Sequence, residues 1–455
     1  MNCNIGVDIG SSSIKAVLFS GEISEVLKAE NRPTKSKVLS LPPGRFEENP
    51  NAIRTSVLDV LSILAKFAKE KNHKIKAIDF TGQMHGGLVV DENFNTLTNF
   101  ITWQDKRGDE LAQSGKTYVE ELSEISAKDA TGAGIHTGFL ISKLYWFHRT
   151  NTADFSSGGK ILGIYDWLTS ILVHRAVTDI SSAAAWGMYD PISMEWQSDL
   201  LDAASINIKM LPEIAEPGQD LGKIDQKIAS ELGLDAEIRI HASIGDTQAA
   251  YIGSECTQNE VLINIGTGSQ SMWEMPRTER MKASEGTDIR YLRDGRYLAC
   301  APTLAGGEAY RIAKDFFRET VRAFTGLEMN VEDIFAIMNR IAEESSSLGM
   351  TVDPIFQGSK FRGDLERGSI SEITTENFRP GTLVRALIEG MIEEIARPYF
   401  AQNGYRNHVG LAGAGGAIRQ NSALRHVAEK RFGLPLRVCR FDNEAAAGAA
   451  MLCGQ

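Results

Sequence analysis

The sequence predicts an α/β protein of two similarly built domains, and three observations carry that expectation. At 455 residues the chain exceeds what one hydrophobic core usually serves. Its first eighty residues read strand, strand, helix, strand, the grammar of a mostly parallel sheet with helices packed on it. The opening pattern also returns: "DIGSSS" around Gly10 is matched by "NIGTGS" around Gly266, 256 residues later, a period far too long for a solenoid.

The elements follow in order. Residues 4–9 and 14–19 alternate as strands on either side of the "GSSS" turn. Asn49 and Pro50 form a helix start, continued by Ile53, Val57, Val60, Leu61, Leu64 and Phe67 at helical spacing. "KIKAIDF" is a strand ending at Phe80. A boundary near residues 250–260 gives domains 1–250 and 251–455. "VLINIGTGSQSMWEM", from Val261 to Met275, then repeats strand, glycine turn, strand. "RPGTLVRALIEGMIEEIARPYF" is an amphipathic helix whose stripe is Leu383, Val384, Leu387, Ile388, Met391, Ile392 and Ile395. A short strand, the glycine run Gly413–Gly416 and a helix from about Asn421 come next, and the small residues of "EAAAGAAMLCG" form a closing helix suited to close backbone packing.

Composition narrows the function classes. A hydrophobic content of 42% and a charged content of 24% are those of a globular protein. A net charge of −11 argues against a general nucleic-acid binder, although a local pocket can still hold an anionic ligand. The five cysteines are odd in number and lack metal-ligand spacing, which fits a reduced, cytoplasmic setting. "MNCNIGVDIG" has no basic leader region and no uncharged run spans a bilayer, so neither a signal peptide nor a membrane association is expected.

Glycine and serine at a strand-to-strand turn expose N–H groups and hydroxyls that can form an anion site, and Lys15 adds a charge. Either turn alone reads as an ordinary hairpin; the two in corresponding places favour phosphate binding. Gly413–Gly416 is neither a Walker loop nor GxGxxG, and serves a close strand-to-helix crossing or the approach of a flat base. Asp246, opening a helix in "GDTQAAYIG", is either an N-cap or a general base at the domain boundary. "TGQMHGG" and "ITWQDKR" gather Gln83, His85, Gln104, Asp105 and Arg107 beside the flat face of Trp103, a mixture suited to a polyol or sugar. Asp105 and Arg107 read equally as a surface pair.

The motifs "GVDIGSSSIK", "TGQMHGG", "TWQDKR", "IGDTQAA", "INIGTGSQ" and "GAGGAIRQN", in this order, resemble the FGGY carbohydrate kinases of the actin/Hsp70/sugar-kinase superfamily over nearly the whole chain. Within that family "DATGAGIHTGFL", "GIYDWLTSIL", "AAAWGMYD" and "MLPEIAEPG" are similar to segments of sedoheptulokinases, whereas xylulokinases share "GQMHG" but usually carry asparagine where Gln104 stands. The resemblance implies two ribonuclease-H-like domains flanking a catalytic cleft, with ATP, Mg²⁺ and a ketose as ligands. Asp246 would take the proton of the terminal sugar hydroxyl, and Asp8, with Asp246, would hold Mg²⁺. Gly10, Ser11, Ser12, Ser13 and Lys15 would face the γ-phosphate, and Gly266, Thr267 and Gly268 the other phosphates. Gly306, Gly416, Gln420 and Asn421 match nucleoside positions. Gln83, Met84, His85, Trp103 and Asp105, with Arg107 and His136, would hold the sugar. Ser11 departs from the threonine common in the family but keeps the hydroxyl. The rivals are an actin- or chaperone-like ATPase switch, which would not need the sugar motifs, and a nicotinamide-dependent oxidoreductase, which would need the missing GxGxxG.

Overall fold

The structure is a computed structural model that describes residues 1–125, 134–152, 159–266, 268–275, 286–359, 366–402 and 407–453. The chain divides into two compact units. The first comprises Met1–Gly253, Arg290–Tyr297 and Asn443–Gln455; the second comprises Ser254–Ile289 and Leu298–Asp442.

In the first unit, β1 (Asn2–Ile9), β2 (Ser13–Ser20) and β3 (Glu25–Pro33) form an antiparallel meander. Its tight turns leave no room for crossover helices. Helix α1 (Pro50–Glu70) follows, with the Asn49 side chain accepting from the Asn51 and Ala52 N–H groups and proline at its first position. It buries Ile53, Val57, Val60, Leu61 and Leu64 in one cluster with Ile5, Val7 and Ile9 of β1 and Ile14, Ala16 and Leu18 of β2. Each such side chain is worth roughly 1.5–3 kcal/mol of burial.

The chain then returns as β4 (Lys74–Gly82), parallel to β1. Helices α2 (Leu140–Thr150), α3 (Ile164–Val173) and the wholly buried α4 (Ile180–Ala185) precede β5 (Asp220–Lys223), β6 (Arg239–His241) and β7 (Ile244–Gly245). The sheet order is β5–β6–β4–β1–β2–β3, with β7 also on β4. It is therefore mixed, not mostly parallel: only β4 with its neighbours β1, β6 and β7 runs parallel. Helix α5 (Asp246–Gly253) starts where β7 ends.

The second unit repeats this opening. Strands β8 (Glu260–Ile265) and β9 (Ser269–Met275) pair antiparallel. With β10 (Asp288–Arg293), β11 (Arg296–Thr303), β12 (Gly410–Ala414) and β13 (Leu436–Val438) they form a sheet of order β10–β11–β9–β8–β12–β13. The helices are α6 (Gly307–Thr325), α7 (Val331–Glu343), α8 (Pro380–Ala401), the short α9 (Gly416–Gln420) and α10 (Ser422–Phe432). The stripe Val384, Leu387, Ile388, Met391, Ile392 and Ile395 of α8 is buried.

The closing helix α11 (Glu444–Leu452) belongs to the first unit, as does the tip of the β10–β11 hairpin. A single cut at 250/251 thus misses two returns of the chain. Small residues explain the second: a Cβ on Gly6, Gly253 or Gly448 would run into the backbone of Ala446, Glu444 or Ala249.

Candidate functional site

Register brings the first set of residues together. Asp8 lies opposite Lys15 of β2 and Thr81 of β4; Ile9 and Gly245 both pair with Gly82. Gly10, Gln83 and Asp246 therefore leave the carboxyl ends of neighbouring parallel strands, where ligands of α/β sheets collect. The first turn is closed by the Gly10 N–H donating to Ser13 O at 3.1 Å and is buttressed by Thr34, whose N–H reaches Ser12 O at 3.1 Å and whose Oγ1 reaches Gly10 O at 3.0 Å. Ser11 and Ser12 are exposed, Ser13 and Lys15 half-buried.

Two carboxyls face each other electrostatically. Burial, then the negative charge of Asp246, pushes Asp8 up to about 7, against the pull of Lys15. Burial also raises Asp246, opposed by the Arg290 guanidinium and by bonds from Thr247. Thr247 Oγ1 donates to Asp246 Oδ1 at 3.2 Å, and Arg290 Nη1 donates to Thr247 Oγ1 at 2.9 Å. Among the described residues, the bonds to Asp246 come from its neighbour Thr247, not from N–H groups two and three residues on that a capping aspartate takes. Two carboxyls that repel each other and a hard oxygen donor set suit a divalent cation that keeps waters and phosphate oxygens, as Mg²⁺ does. Among the described residues no group of three or more His, Cys, Asp or Glu is arranged to hold a metal by itself.

The sugar-type residues fall into a buried and an exposed part. Gln83 is 4% exposed; its Nε2 donates to Glu48 Oε2 at 3.0 Å, while its buried Oε1 has no partner. Burial pushes Glu48 up to about 6, against bonds from Gln83 and Ser36. Met84 is buried, its Sδ 3.8 Å from Arg290 Nη1. His85 takes a left-handed φ of +68°. Its Nδ1–H donates to Ala185 O at 2.8 Å, and the ring stacks on Phe139 at 5.0 Å. Lys143, with no exposed surface, secures this backbone by donating to the carbonyls of His85 at 3.3 Å and Gly138 at 2.5 Å. Burial brings its amine down to about 7, against the attraction of Asp105.

Trp103 is 46% exposed, a flat apolar face at the surface, and Gln104 beside it is exposed. His136 is exposed too, edge-on to Phe139 at 5.4 Å. Asp105 and Arg107 are not a surface pair: they are 0% and 2% exposed and joined at 2.7 Å. Arg107 Nη2 also reaches Glu47 at 2.7 Å, and Asp105 Oδ2 accepts from the Phe46 N–H at 2.9 Å. Burial works upward on Asp105, but the bonds and charge of Arg107 hold it below the usual carboxylate range. So engaged, the pair fixes the loop that carries Trp103.

In the second unit, the Gly266 N–H donates to Gly268 O at 2.9 Å, and the Gly307 N–H to Gly266 O at 3.0 Å. Thr267 lies outside the described residues. Gly306 packs on Ser269, where a Cβ would collide. Asn264 pairs with Ala414, so the Gly266 turn and Gly415–Gly416 leave the sheet at one end. Gly415 needs its φ of +89°, and a Cβ there would press on the Ile265 carbonyl. Gly416 and Gln420 are exposed. Asn421 is buried: its Oδ1 caps α10 through the Leu424 N–H at 3.0 Å, and its Nδ2 donates to Asn339 Oδ1 at 2.9 Å, which the Tyr310 hydroxyl also reaches at 2.9 Å.

Sequence reading missed Arg290, Glu48 and Lys143. Arg290 belongs to no motif and reaches the site only through the fold. Lys143 left a trace, a lone cation within the apolar "LISKLYWF". None of the five cysteines is in a disulfide, and among the described residues no helix is long and apolar enough to cross a membrane.

A family profile described as "FGGY family of carbohydrate kinases, N-terminal domain" matches residues 3–253. The gluconokinase of Bacillus subtilis (strain 168) is 27% identical over 87% of this chain and 76% of its own length. The sedoheptulokinase of Mus musculus is 24% identical over 98% of this chain and 96% of its own. Among solved structures, the ligand-bound xylulose kinase of Lactobacillus acidophilus superposes with a TM-score of 0.84 at 23% identity, covering 100% of this chain and 89% of that one. At that identity the superposition establishes the fold: two α/β units of the sugar-kinase type.

Proposed function

The chain belongs to the FGGY family of carbohydrate kinases, ATP-dependent enzymes, and from that premise we propose that it moves the γ-phosphoryl group of ATP onto the terminal hydroxyl of a ketose, sedoheptulose giving sedoheptulose 7-phosphate. The observation that carries the chemistry is the register that sets Asp8 and Asp246 at the carboxyl ends of β1 and β7, the two strands that flank β4, with Arg290 bonded to Thr247. The end-to-end likeness to a sedoheptulokinase supports the choice of sugar.

Asp246 takes the proton of the attacking hydroxyl. Burial moves its pKa towards the working pH, where a general base is most effective. Gln83 Oε1, His85 and Met84, with Trp103 and His136 around them, orient the sugar, and Asp105 and Arg107 hold the Trp103 loop that serves it. Gly10, Ser11, Ser12, Ser13 and Lys15 receive the γ-phosphate; Gly266, Thr267 and Gly268 hold the other phosphates, and Gly306, Gly416, Gln420 and Asn421 the nucleoside. Asp8, with Asp246, would hold Mg²⁺ through water, and that ion, when bound, offsets phosphate charge. The remaining work of the protein is positioning, which phosphoryl transfer mainly demands. Cysteines outside any disulfide and an ATP requirement suit a reducing, cytoplasmic compartment.

A second reading has its own observation. The 27% identity to a gluconokinase favours an aldonate acceptor, and xylulose or another ketose remains within the same chemistry. The deciding measurement is kcat/KM for sedoheptulose, xylulose, ribulose, fructose and gluconate. Sedoheptulose should lead the panel. A lead by gluconate overturns the ketose assignment, and ADP release indifferent to every sugar overturns the kinase assignment.

A further inference from the structure

Helix α4, six residues long and wholly buried, ties together two groups that the proposed reaction needs at a fixed spacing. At its start, Asp179 Oδ1 accepts from the Ser181 N–H at 2.7 Å and the Ser182 N–H at 3.3 Å, and both serine hydroxyls donate to the same carboxylate. With its proton committed to Asp179, Ser181 Oγ turns a lone pair outward and accepts the Gly245 N–H at 3.0 Å. Gly245 immediately precedes Asp246, and β7 pairs with β4 on its other side, so Ser181 stands where a further strand would be. At the far end of α4, the Ala185 carbonyl accepts the His85 Nδ1–H at 2.8 Å. Ser181 and Asp179 are 2% and 0% exposed, and Thr169 Oγ1 and Ser243 Oγ, 2.8 Å apart, brace the strand just ahead.

We propose that Ser181 is a positioning residue for phosphoryl transfer, holding the Gly245–Asp246 peptide through the Gly245 N–H so that α4 sets the spacing between the proton acceptor and His85. The proposal rests on the reading of Asp246 as that acceptor. The physical warrant is that a buried N–H with no partner does not stay put: it either takes up a cost of roughly 1–3 kcal/mol or moves to find another acceptor, and small misplacements of a reacting group are expensive in rate. A hydroxyl anchored by a buried carboxylate is a stiff acceptor, since the charged partner strengthens the bond that orients it.

The experiment is a double-mutant cycle on the full-length enzyme, read in steady-state kinetics with its best sugar and MgATP. Ser181→Ala should lower kcat about three- to thirtyfold with both KM values within about twofold. Asp246→Asn should lower kcat by about two to four orders of magnitude. The double variant should be no slower than Asp246→Asn alone, because the serine acts through the aspartate. A double variant slowed by the product of the two single effects marks Ser181 as general scaffolding and overturns the proposal. Full turnover in Ser181→Ala with Asp246→Asn crippled overturns the positioning role and leaves the base in place. Full turnover in Asp246→Asn removes the base, and the positioning role with it. Should Ser181→Ala fail to fold, Ser181→Cys, which replaces the hydroxyl by a somewhat larger and weaker acceptor, is carried through the same cycle with the same criteria.

Discussion

Arg290 donates to Thr247 Oγ1 at 2.9 Å, and its charge opposes the rise that burial imposes on Asp246. Removing that cation lets the Asp246 pKa climb further. A base works only when deprotonated, so the acid side of the activity profile must then move to higher pH. Arg290→Met is accordingly expected to shift the acid limb of log kcat/KM to higher pH, with the alkaline limb unmoved. An unmoved acid limb in that variant would show that Arg290 does not tune the base. Neither Arg290 nor Lys143 was legible beforehand. Pattern reading finds residues whose neighbours in sequence share their task, whereas Arg290 meets Asp246 only after the chain has passed through a second sheet. The placement of Asp8, Gln83, His85 and Asp246 at or just past the ends of strands was legible, because such ends carry their own local signature. The buried pairing of Asp105 and Arg107 was not: two charges in a polar loop look the same from sequence whether water or protein surrounds them.

The two glycine turns show what an element can and cannot reveal. Both hairpins were readable from alternation and turn chemistry, and α1 from Asn49, Pro50 and its apolar spacing. The direction of neighbouring strands was less so, because a hairpin between β1 and β2 makes an antiparallel meander inside a sheet whose other contacts on β4 run parallel. The short α9 escaped notice, since five residues cannot establish a helical period. Its entry depends on Gly415, which has a φ of +89° and no space for a side chain against the Ile265 carbonyl. Gly415→Ala should therefore displace the start of α9. The expected outcome is a rise of tenfold or more in the Kd for ADP, on the order of the ~1–3 kcal/mol that such strain stores, with the KM for sugar little changed. Calorimetric titration with ADP decides it; wild-type affinity would mean that this turn lies away from the nucleotide.

At the scale of the molecule, the last thirteen residues, Asn443–Gln455, are part of the first unit. Ala446, Ala447, Ala449, Ala450 and Leu452 are all at 1% exposure or less, against β1 and α5. The sequence announced a helix of small residues there but not its destination, because alanine and glycine permit close approach without specifying to what. A chain ending at Asp442 should lose several kcal/mol of burial and its first thermal transition should fall by on the order of 10 °C. Differential scanning calorimetry would register this, and an unchanged scan would mean that α11 adds nothing to that core.

That same return of the chain sets a schedule for biosynthesis. A ribosome releases residues 1–253 long before it has made 443–453, so the nascent first unit waits with Gly6 and Gly253 uncovered while some two hundred further residues are translated. Helix α11 is thus a seal fitted late, and a polypeptide stalled before it advertises its own incompleteness as an open seam that quality-control machinery can grip.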